Sequence, residues 1–125
     1  MPFRTSREHF EELVNQALES LPEEYTQYFT NITVIVEDYP SSEEAGRVGV
    51  RRDELLGLFT GVPFPHKGGF FDIAPPLPDS ILLFRKNIES ICSSERQLVE
   101  EIRKTLVHEV GHYFGLSERD LRKYE

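Results

Sequence analysis

The segment from Glu95 to Phe114 constrains this chain more than any other. Leu98, Val99, Ile102, Leu106, Val107, Val110, Tyr113 and Phe114 recur at helical spacing. At about 100° per residue they fill one continuous half of a helix circumference. Ser94 stands in the N-cap position, and Gly115 takes the place of a C-terminal glycine. The same stretch contains His108-Glu109-Val110-Gly111-His112. Residues four apart lie one turn apart on one face, so both imidazoles can reach a single ion. Both histidines fall outside the apolar arc, whereas histidines buried for packing would lie inside it. That placement favours metal ligation over the blander reading of two hydrogen-bonded histidines on a structural helix. Glu109 lies between the histidines and the arc, which predicts a partly desolvated carboxylate. It is rotated about 100° from His108, so its carboxylate belongs beside the ion, where it can take a proton from a bound water.

The donor set suits Zn2+, which accepts imidazole nitrogen at about 2.0 to 2.1 Å and lowers the pKa of a bound water to about 7. A catalytic zinc site needs a third protein ligand and one open position. Downstream of His112 the carboxylates are Glu118, Asp120, Glu125 and the terminal group. Gly115 can turn the chain back toward the metal, because glycine adopts positive φ without strain. The stretch therefore reads H-E-x-x-H-x-x-G-x-x-E, with Glu118 as the expected third ligand and Asp120 as the alternative. Glu118 would equally suit the first turn of a short helix over residues 118 to 123.

Upstream, Phe10, Leu13, Val14, Ala17, Leu18 and Leu21 predict an amphipathic helix over residues 6 to 20. Thr5 and Glu8 have capping-box spacing at its start, and Pro22 stops it. Residues 23 to 29 read as a short helical turn. Three strands follow from β-branched or apolar runs: residues 31 to 36, 55 to 60 and 80 to 84. Residues 43 to 50 are polar with two glycines and read as a loop or weak strand. Residues 61 to 79 are rich in proline and glycine and read as a long irregular loop. Residues 86 to 92 form a short helix or turn. This order predicts an α+β fold over residues 1–125 as a single domain, with helices on one face of a small mixed sheet and the N-terminal helix packed on the long one.

Composition narrows the partners. The 125 residues include 14 Lys plus Arg against 22 Asp plus Glu, a formal charge of -8. Phosphate backbones and anionic membranes require basic surfaces, so neither nucleic acid nor a membrane is an expected partner. Cys92 is the sole cysteine and cannot form an internal disulfide, which fits a reducing compartment. The N-terminus has no apolar signal core, and no run of about 18 apolar residues is present. A cytoplasmic location is the expectation.

Three segments resemble the small bacterial zincin-like metallopeptidases, minimal matrix-metalloprotease-like domains. They are Leu55 to Pro63, Leu77 to Arg85 and, most specifically, His108 to Leu121; the likeness extends from about residue 10 onward. The resemblance implies a compact zincin-like α+β core, a zinc ion and hydrolysis of peptide bonds in a peptide or protein substrate. The only methionine is Met1, so the methionine turn of the larger relatives is absent. Glu118 also stands where aspartate or histidine is the commoner ligand. These departures motivate an alternative from another class, a zinc-containing binding or regulatory module with little or no turnover. A third is hydrolysis of a non-peptide amide. The strand from Ile81 to Phe84 is the expected sheet edge for an added substrate strand. His66, Phe64, Phe70 and Phe71 are weaker site candidates in the long loop. His9 reads as a surface or packing residue of the first helix, Glu100 and Glu101 as ordinary solvated charges, and Cys92 as a small buried thiol.

Overall fold

A computed structural model describes residues 3–60 and 79–113. Helix α1 spans Arg7–Glu19, followed by α2, Glu23–Thr26, and a 3-10 turn, Gln27–Phe29. The N-cap of α1 is Ser6, whose side chain accepts a hydrogen bond from the His9 amide at 3.1 Å. The predicted cap residue, Thr5, is diverted: its amide and hydroxyl both donate to Glu89, at 3.0 and 2.7 Å. Strand β1 is Ile32–Glu37, β2 is Gly57–Thr60 and β3 is Asp79–Phe84. Residues 42–48 form helix α3 rather than the predicted loop or weak strand. Helix α4 is Arg85–Ser90, and α5 is Glu95–Tyr113, the long helix anticipated from the sequence.

The sheet is mixed, in the order β1-β3-β2. Strand β3 runs parallel to β1, with Val34 opposite Ile81, and antiparallel to β2, with Gly57 opposite Leu83. The expectation that Ile81 to Phe84 forms an edge is therefore wrong. Strand β3 pairs on both sides, and its fully buried Ile81, Leu83 and Phe84 reflect that central place. Among the described residues, the strand at the sheet's end beside α5 is β2.

The core explains the arrangement. Phe10, Leu13, Val14 and Ala17 of α1 meet Leu98, Ile102, Leu106 and Val110 of α5, and both sets join Val36, Ile81 and Leu83 from the sheet. This matches the predicted α+β plan, in which the N-terminal helix packs on the long one. Val107 lies at a second contact, with Leu21 and Tyr25. Asn87 is 2% exposed, and its Nδ2 donates to the carbonyls of Arg52 and Leu55 at 2.7 and 2.8 Å. Those bonds tie the approach to β2 against α4 and thereby set where the edge strand begins. Among the described residues, no helix is long and apolar enough to cross a membrane.

Candidate metal centre

Helix α5 starts where its sequence directs. The Ser94 hydroxyl accepts from the Gln97 amide at 3.2 Å, while the Gln97 side chain takes the Ser93 amide at 2.7 Å. From that start, helical phase places Leu98, Ile102, Leu106 and Val110 fully in the core. His108 and Glu109 are left half-buried at its margin. They line one open groove of about 330 Å3 together with Leu56, Gly57, Glu101, Lys104 and Thr105.

The His108 ring is oriented by its own helix. Nδ1 lies 3.0 Å from the backbone carbonyl of Lys104. A carbonyl oxygen only accepts, so Nδ1 carries a proton, and Nε2 is the ring nitrogen whose lone pair could serve a metal. This is the arrangement by which a protein fixes the tautomer of a ligating histidine. Glu109 is oriented from outside the helix: its Oε1 accepts the amide of Phe59 in β2 at 2.9 Å. The sheet register explains why that amide is available. Phe84 N donates to Leu56 O, so Leu56 and Phe84 are a hydrogen-bonded pair. Alternation along an antiparallel ladder then turns the backbone groups of Gly57 and Phe59 away from β3.

The sequence placed His108, Glu109 and His112 together, and α5 carries all three. The side chains of His108 and Glu109 share the groove as expected. The side chain of His112 lies outside the described residues, as do Glu118, Asp120, the loop candidates His66, Phe64, Phe70 and Phe71, and the predicted last helix. Among the described residues, no three His, Cys, Asp or Glu side chains gather as a metal site. The donor chemistry that is described does fit one, with an imidazole whose Nδ1 is already tied and a carboxylate held beside it.

Two site features escaped the sequence reading. Glu101, read as a plain surface charge, is half-buried in the groove wall, with its carboxylate 4.0 Å from Lys104 Nζ. Gly57 and the Phe59 amide also went unremarked, although a lone glycine inside a strand is a signal of close backbone approach. His9 is partly exposed on α1, with its side chain against Glu95 of α5. Cys92 is the buried thiol anticipated; burial pushes it up to about 11, and the nearby Glu101 and Glu89 charges act in the same direction.

A family model of zincin-like metallopeptidases matches residues 29–125. Among solved structures, a conserved hypothetical protein from Thermo thermophilus is 27% identical, with a TM-score of 0.54 over 88% of this chain and 94% of that one. No protein of curated function matches.

Proposed function

The chain belongs to the zincin-like metallopeptidase family, and from that membership we propose that it is a zinc-dependent hydrolase of peptide bonds. The observation that carries this reading is the pairing of His108, its Nδ1 tied to the Lys104 carbonyl, with Glu109 in one open groove beside the β2 edge. His108 and His112 would hold the metal, with Glu118 as the third ligand. Zinc, when bound, supplies a Lewis acid that acidifies a coordinated water and polarises the scissile carbonyl. Glu109 accepts the proton of the attacking water and delivers it to the leaving amine.

The test combines metal content with turnover. Wild-type protein should carry zinc and cleave members of a peptide library. Glu109→Gln should keep the zinc and lose about 10²-fold or more of the rate, the contribution typical of a general base. Equal cleavage by both proteins sinks the assignment of Glu109. Zinc retained by both with cleavage by neither favours the non-hydrolytic module instead.

A further inference from the structure

Strand β2 lies against α5 at a distance that only glycine permits. A Cβ built on Gly57 would sit 2.6 Å from Thr105 Cγ2, 3.1 Å from the Leu82 carbonyl oxygen and 3.7 Å from Glu109 Cγ. The Thr105 methyl cannot give way cheaply, whereas the Leu82 oxygen need yield only a few tenths of an ångström. Thr105 is β-branched, and its hydroxyl donates to the Glu101 carbonyl at 2.8 Å, which fixes the rotamer and so the methyl. The Leu82 oxygen belongs to the backbone of the central strand. Two residues further along β2, the Phe59 amide reaches Glu109 Oε1 at 2.9 Å. A strand displaced outward at residue 57 carries that amide away from the carboxylate.

We propose that Gly57 is a positioning residue for Glu109. Its bare backbone, seated on the Thr105 methyl, sets the height of β2 above α5, and that height brings the Phe59 amide to the Glu109 carboxylate and holds it in one orientation. A β2 pushed off the Thr105 methyl takes the Phe59 amide away from the carboxylate, and misplacement of a reacting group by about 1 Å costs on the order of 10²-fold in rate. The kinetic part of this inference rests on Glu109 being the base; the geometric part does not.

The zinc-supplemented full chain is compared as wild type, Gly57→Ala and Gly57→Ala/Thr105→Ser, with Glu109→Ala as the reference for a lost acceptor of the Phe59 amide. Serine keeps the hydroxyl bond to Glu101 and removes the methyl. Gly57→Ala should shift the Phe59 amide proton upfield, as Glu109→Ala does, and lower kcat by about 10²-fold with KM within about twofold and zinc retained. Adding Thr105→Ser should return both readouts most of the way to wild type. An unchanged Phe59 resonance and kcat in Gly57→Ala overturn the proposal, and so does a folded double variant that recovers neither. Should Gly57→Ala alone fail to fold, the double variant decides by its Phe59 resonance. Failure of the double variant to fold also counts against the proposal, since the methyl would then not be the obstacle. A wild type that cleaves nothing removes the proposed function, while the Phe59 resonance still judges the geometry.

Discussion

His9 shows how one side chain couples two helices through its charge. It stands partly exposed on α1, with Nε2 2.6 Å from Glu95 at the start of α5 and Nδ1 3.5 Å from Glu12 on its own helix. The Glu95 hydrogen bond raises its pKa above the ordinary 6.5, with Glu12 adding to that and burial opposing it. A raised folded-state pKa means that protonated His9 favours the folded state. The contribution is fully present below about pH 6.5 and is lost as pH rises through the higher folded value. The melting temperature of wild type should therefore exceed that of His9→Gln most near pH 6, and the gap should narrow toward pH 9. A gap that widens with rising pH would show the coupling to have the opposite sign. At this scale the sequence was informative about identity and silent about partners. It placed His9 on the first helix as a surface or packing residue, but a contact spanning 86 residues has no local signature. The same holds for Glu109: helical phase put it at the core margin, whereas the Phe59 amide that holds it comes from another element 50 residues away.

Among the elements, legibility followed the amount of apolar surface. Helices α1 and α5 each bury a stripe repeating at helical spacing, and their positions follow from that stripe. Helix α3 buries only Ala45, so no stripe was there to read, and two glycines suggested a loop. Its signal lay in the cap. The Ser41 hydroxyl accepts the Glu44 amide at 3.0 Å, and the Glu44 carboxylate returns to the Ser41 amide at 2.8 Å. Gly49 closes the helix with φ 78°, the left-handed geometry in which glycine is unstrained. With so little burial, α3 depends on its ends. Ser41→Ala should cost about 1 kcal/mol and speed amide exchange over residues 42 to 48 more than elsewhere. Exchange that rises evenly across the chain would assign the loss to global stability instead. Strand order was the other misreading at this scale. Ile81 to Phe84 is apolar enough for a central strand, and the position of an edge depends on pairing that no single segment encodes.

At the scale of the molecule, the N-terminal segment, the end of β1 and α4 meet at Arg85, which is 8% exposed. Its Nε and Nη2 donate to Asp38 Oδ1 at 3.2 and 3.0 Å, and its Nη1 donates to the Thr5 carbonyl and to Glu89 Oε2. Glu89 is 2% exposed, and the same Oε2 also takes the Thr5 amide and hydroxyl. The two carboxylates facing Arg85 differ in what they lose without it. The Asp38 side chain is 54% exposed and rehydrates readily, so Asp38→Asn should cost less than about 1 kcal/mol. The Glu89 side chain is 3% exposed and cannot. Arg85→Ala strands a buried charge, which typically costs about 3 to 5 kcal/mol, and the melting temperature should fall by more than about 10 °C. If desolvation is the cause, removing both charges costs less than removing one. Arg85→Met/Glu89→Leu should melt above Arg85→Ala, even though it has lost more hydrogen bonds. A double variant less stable than Arg85→Ala would show that the Thr5 bonds to Glu89, rather than the buried charge, tie the N-terminus to the fold.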